Sequence, residues 1–209
     1  MVRRFWIESA LVCALALGAC NKAGNQAPAP VDTTNNGVSN TGGAMGSAES
    51  ATSAAVGQVA AATTFTAEGF VTGAATSDMF EIAAAKLALD RGADPAIKTF
   101  AKRMIHDHTA STAKLKALIA SAGLNVTPPA EMDERRKGMI NNLTAASDAD
   151  FDKLYLEQQV GAHEEAVTLF KGYADHGDNA ALKDFAVAVL PTIEAHLAMA
   201  KSMKAGMSH

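Results

Sequence analysis

Asp94-Pro95-Ala96-Ile97-Lys98-Thr99-Phe100-Ala101-Lys102-Arg103-Met104-Ile105-His106-Asp107-His108 is the stretch on which the fold turns. Asp94 is a strong helix N-cap, and Pro95 suits the first turn, where its missing N–H goes unused. Behind them Ile97, Ala101, Met104, Ile105, Leu115, Leu118, Ile119 and Ala122 recur three and four residues apart, the spacing of one helix face. His108 lies on that apolar face. His106 lies opposite and is expected to face water. Gly123 ends the segment.

The same punctuation recurs on both sides. Thr66 caps a helix running to Arg91, with Gly92 as its stop. Thr127-Pro128-Pro129 breaks the chain, and Ala130 to Ala145 reads as a shorter, charged helix. Ser147 and Asp148 open a long helix ending before Gly177, and Asp178 opens a last one to about Ala205, with Pro191 inside it. No segment alternates as a strand does. The sequence therefore predicts an all-α antiparallel four-helix bundle: two hairpins turning at Gly92 and Gly177, joined by the short third helix.

Each long helix carries a ligand-type side chain within its apolar arc: Glu81, His108, His163 and His196. Glu81 shares its face with Phe70, Ala74, Ala84 and Ala88, and His196 shares its own with Phe185, Val189 and Met203. His163 lies between Val167 and Phe170. Counted from the hairpin turns, Glu81, His108 and His163 fall about 18, 22 and 21 Å deep, and His196 about 28 Å. His196 thus overshoots the others by about a turn. A buried ionised carboxylate needs a partner, because its desolvation costs several kcal/mol. Two readings of the four residues stand open. In one, Glu81 and the histidines form a hydrogen-bonded layer that fixes helix register. In the other, they bind a single Zn, Fe, Mn or Cu ion, with Gln159 and Tyr155 as hydrogen-bond partners of the ligands.

The 209 residues, 48% hydrophobic but 5% aromatic, suit one domain of closely packed helices. The net charge of −4 gives no basis for general nucleic-acid binding. At the N-terminus, Arg3 and Arg4 precede an apolar run, Ala10 to Leu17, in the pattern of a secretory signal. Leu17-Gly18-Ala19-Cys20 resembles a bacterial lipobox. The resemblance implies cleavage before Cys20, lipidation of its thiol and new amino group, and membrane attachment through that lipid. Cleavage also removes Cys13, so no internal disulfide remains. Residues 20–64, rich in Gly, Ala, Asn, Ser and Thr, are expected to form a disordered, flexible tether, leaving residues 65–209 as the bundle.

Five stretches carry a family resemblance. They are Ile82 to Ala88, Phe100 to His108, Phe151 to Tyr155, Val160 to His163, and Leu182 through Leu190-Pro191 to His196-Leu197. Together they resemble family 4142 of the bacterial domains of unknown function. The resemblance implies a ferritin-like bundle, secreted or lipid-anchored, and brings no settled activity. Asn21 after the lipidated cysteine is no inner-membrane retention signal, so the expected address is the periplasmic face of a Gram-negative outer membrane. Di-iron bundles use Glu-x-x-His on two helices. Here Ile105, Val160 and Ile193 stand three residues before the histidines, so any centre is mononuclear.

Other candidates have plainer readings. Met199, Met203 and Met207, with His209 beyond, suit either Cu(I) or ordinary packing. Glu131, Asp133, Glu134, Arg135, Arg136 and Lys137 read as the wet face of the connecting helix. No set of acid, base and nucleophile stands outside the four-residue cluster, which leaves an enzyme the least supported function. The expectation is a non-catalytic envelope protein that binds partners or supports stress tolerance, with the mononuclear metal protein as its alternative.

Overall fold

The computed structural model describes residues 55–58, 61 and 65–207. The signal segment, Cys20, most of the linker and His209 lie outside the described residues. Within them the chain forms helices α1 (Ala67–Arg91), α2 (Pro95–Ser121), α3 (Glu134–Ala145), α4 (Asp148–His176) and α5 (Ala180–Gly206), and no strand. None of these helices is long and apolar enough to cross a membrane.

The caps are largely those the sequence announces. The side chains of Thr66, Asp94 and Ser147 accept from backbone N–H groups in the first turns of α1, α2 and α4. Gly123, at φ 60°, occupies the left-handed position past the end of α2, where a side chain would be strained. Two starts differ from expectation. α3 begins at Glu134, not Ala130, because the Asp133 side chain accepts from Arg136 N. α5 is capped by Asn179, since Asp178 instead accepts from the Tyr173 hydroxyl at 2.9 Å.

Long-range contacts give the direction of each helix. Phe70 stacks on Tyr173 with ring centroids 4.1 Å apart, Arg91 reaches Asp148, and Asp107 reaches His196. α1 and α5 therefore run one way, α2 and α4 the other, and each helix lies antiparallel to its two main neighbours. Residues 122–147, including α3, return along the bundle as a single long crossover, the connectivity found in ferritin-like folds. Arg91 pins the end of that crossover, donating to the carbonyls of Leu143, Thr144 and Ala146 at 2.8, 3.0 and 2.6 Å. These are orphan acceptors at a helix C-terminus, where a guanidinium is doubly suited.

The charged run on α3 is not wholly wet. Arg136 is buried, and Arg135 and Arg136 both donate to the buried Glu165 of α4. Two guanidiniums on one carboxylate dock the crossover helix to the bundle. Residues 55–58 and Ala61, within the stretch read as linker, are helical. Ala61 is buried, and Gln58 accepts a hydrogen bond from Thr168 at 2.6 Å.

The apolar core is in two parts. One holds Phe80, Ala84, Ile97, Met104, Phe151 and Tyr155; the other holds Phe70, Leu115, Phe170, Tyr173, Leu182 and Phe185. Between them lies a layer of buried polar side chains.

Candidate metal centre

That layer is built by all four long helices at one level. α1 contributes Asp78, α2 His108, α4 His163 and α5 His196, each buried. The three imidazoles meet: ring centroids are 5.7 Å apart for His108 and His163, and 5.5 Å for His196 with either of them. A nitrogen of each ring lies within 4.8 Å of one on each of the others.

His196 does not overshoot. The count from Gly177 treated residues 177–179 as axial rise, but they cross between helices, and α5 starts only at Ala180. From the helix ends the difference shrinks to about 4.5 Å, and because each side chain tilts toward its own helix N-terminus the two rings lean toward each other, to centroids 5.5 Å apart.

Each ring is held by one nitrogen, leaving the other free. His108 Nδ1 donates to Asp78 Oδ1 at 2.8 Å, His163 Nδ1 to the Gln159 carbonyl at 2.9 Å, and His196 Nε2 to Asp107 Oδ2 at 2.8 Å. Because carbonyls and carboxylates accept, the partners fix the tautomers of the neutral rings. Thr112 Oγ1 donates to the other Asp78 oxygen at 2.9 Å and locks that carboxylate in turn. What remains is His108 Nε2, His163 Nε2 and His196 Nδ1, all buried and without a hydrogen-bond partner. Three such nitrogens would ordinarily cost about 1–3 kcal/mol each.

The electrostatics run the same way. Burial drives the His163 imidazole down to about 3, and the charge of His108 adds to the effect. Burial likewise takes His196 to about 4, against the pull of its Asp107 bond. Both rings are therefore neutral at pH 7, with lone pairs exposed. Burial also opposes a charge on His108, but the Asp78 bond and the charges of Glu81, Asp78 and Asp107 outweigh it and raise its pKa. Burial lifts Glu81 to about 7, with His108 and Gln159 opposing. Asp78, Glu81 and Asp107 thus surround three imidazoles that supply at most one positive charge.

Glu81 sits beside the trio, not within it. Its Oε2 accepts from Gln159 Nε2 at 2.6 Å, and its Oε1 lies 3.6 Å from His163 Nδ1, on the side of that ring already held by Gln159. Gln159 therefore supports His163 through its backbone and Glu81 through its side chain. Tyr155 is buried, and its hydroxyl bonds to none of the imidazoles. The residues that sequence reasoning missed are Asp78 and Asp107. Asp78 stands one turn before Glu81, and Asp107 reaches His196 from the flank of α2. His106 is exposed, as expected, and bonds to Asp107 at 2.7 Å.

Three convergent imidazoles, two of them neutral at pH 7 and each oriented from behind by a carboxylate or carbonyl, make a donor set for a transition-metal ion, whose binding would displace any proton held by His108. Bonds of about 2.0–2.1 Å space the ligand nitrogens about 3.3–3.6 Å apart, so the rings need draw inward by at most about 1.5 Å.

A solved structure described as "CopM in the Cu(II)-bound form" is similar in fold. Its TM-score is 0.58 at 18% identity, covering 68% of this chain and 97% of that one. No curated protein matches the chain. The family model described as "Domain of unknown function (DUF4142)" matches residues 48–203, which include the whole histidine layer. By that match the chain belongs to the DUF4142 family.

Proposed function

We propose that the bundle is a mononuclear metal-binding domain in which His108, His163 and His196 hold one divalent transition-metal ion. One observation carries this reading: three buried imidazoles converge, each with one nitrogen that has no hydrogen-bond partner while its opposite nitrogen is fixed. A purely structural layer would pair those atoms, since buried polar groups are nearly always satisfied. The nearby carboxylates would balance a dication. Imidazole donors without thiolate or thioether suit Zn2+ and Cu2+ best, with Fe2+ and Ni2+ behind. The Cu(II) named for the structure of similar fold makes copper an ion to test first. The Leu17-Gly18-Ala19-Cys20 pattern supports a further element of the proposal, that lipid on Cys20 holds this domain at the periplasmic face of the outer membrane.

The test is a titration of chelator-treated protein with Zn2+ and Cu2+, followed by metal analysis after desalting and by thermal unfolding. The expected result is one ion per chain, with stabilisation of about 3–4 kcal/mol at a hundred to a thousand times Kd, or about 5–15 °C in Tm. Absence of stoichiometric metal, with Tm unmoved by either ion, would sink the proposal.

A further inference from the structure

The histidine layer has two unlike sides. Toward one end of the bundle lie Glu81, three residues after Asp78 on α1, and Gln159, four before His163 on α4. Toward the other lies a cavity of about 20 Å3 whose lining includes His108, His196 and their carboxylate partners Asp78 and Asp107. Its remaining walls include Ser77, Ser111, Ala166, Phe170, Val189 and Ile193. Ser111 follows His108 by one turn, Ala166 and Phe170 follow His163 by one and two turns, and Ile193 and Val189 precede His196 by the same. Given the helix directions, all of these offsets point to the same end of the bundle, away from Glu81.

The volume holds about one water, which needs roughly 10–15 Å3 in this measure. Thr192, which is exposed, and Asp107, which is partly exposed, complete the lining, so the cavity reaches solvent between α2 and α5. Its polar groups and the layer's free nitrogens are compatible with water, and its apolar walls and size exclude anything much larger.

We infer that an ion held by His108, His163 and His196 keeps one exchangeable position facing this cavity, which takes water, hydroxide or a monatomic anion of the fluoride class. The inference rests on the mononuclear reading above. Glu81, on the opposite side and engaged by Gln159, does not close that position. The site is then of the open kind, three protein ligands and one exchangeable ligand, as distinct from closed structural sites.

Water-proton relaxation of the Cu2+-loaded protein reads this directly, with the electron paramagnetic resonance signal confirming bound copper. The expected result is a relaxivity well above that of the zinc-loaded protein, at least halved by saturating fluoride. Ser111→Leu and, as a milder second filling, Ala166→Val are expected to lower the relaxivity while copper remains bound. Relaxivity at the zinc-loaded level with copper bound would overturn the inference and leave the metal reading standing, and so would a response that survives both filled cavities. Failure to bind copper or zinc at all would overturn both.

Discussion

The double variant His108→Ala, His163→Ala is expected to lose its metal. Structural zinc sites with four protein ligands bind with apparent free energies of about 10–16 kcal/mol, or roughly 3–4 kcal/mol per ligand. Removing two of three imidazoles should therefore weaken affinity by about four to six orders of magnitude, since 1.4 kcal/mol is tenfold. Isothermal titration of Zn2+ into the metal-free variant checks this. The choice of residues is deliberate. His108 and His163 come from different hairpins, so their loss dismantles the centre while leaving both hairpin turns and all the caps intact. His106→Ala is the matched control: this histidine is exposed and lies outside the trio, and its loss should leave affinity within a factor of two or three. Equal binding by the double variant and the wild type would mean that the metal sits elsewhere.

The second large effect has the opposite sign on stability. His163→Leu is expected to make the metal-free protein more stable. His163 is 1% exposed, its Nε2 is unpaired, and its one bond goes to a backbone carbonyl within its own helix. Leucine has a similar volume and brings no polar atom. Deleting an unsatisfied buried nitrogen recovers about 1–3 kcal/mol, less about 1 kcal/mol for the lost bond to Gln159. The net gain of up to about 2 kcal/mol corresponds to as much as about 8 °C in Tm for a chain of this size. The same variant should lose the metal-dependent rise in Tm. This outcome separates the two readings of the layer. A hydrogen-bonded network serving only helix register would lose stability on His163→Leu, because it would lose a member without relieving any unmet need. Trading stability for an unfilled donor set is what a binding site does.

The helices were legible because capping chemistry is local. Thr66, Asp94 and Ser147 announce their helices from a few residues of sequence, and the three- and four-residue spacing behind Asp94 gives the buried face outright. The starts of α3 and α5 were misplaced because Asp133 outcompetes Ala130 as a cap, and because Asp178 is drawn away by Tyr173. The docking of Arg135 and Arg136 on Glu165 was hidden for another reason: a charged run reads as solvated unless its partner, some thirty residues away, is known.

The candidate site was half legible. His108, His163 and His196 could be found from their place on apolar faces, and the depth count failed for His196 because it assigned rise to a turn and ignored the tilt of side chains toward their helix N-termini. Glu81 was correctly placed as buried, but a helical wheel cannot say whether a carboxylate points at a cluster or past it. Asp78 and Asp107 were missed because the wheel marks residues on the apolar arc, while groups that support a histidine from behind sit at its margin. Their partners are thirty and eighty-nine positions away in sequence. Most of all, periodicity cannot report which nitrogens go unbonded, and that feature turned a polar layer into a donor set.

The most direct measurement is anomalous diffraction from crystals of the zinc-loaded protein, recorded on both sides of the zinc absorption edge. The account predicts one strong peak per chain between the helices, about 2.0–2.1 Å from His108 Nε2, His163 Nε2 and His196 Nδ1. It is contradicted by a zinc-loaded crystal with no peak among these three rings, or with its peak at the surface or beside Met199 and Met203.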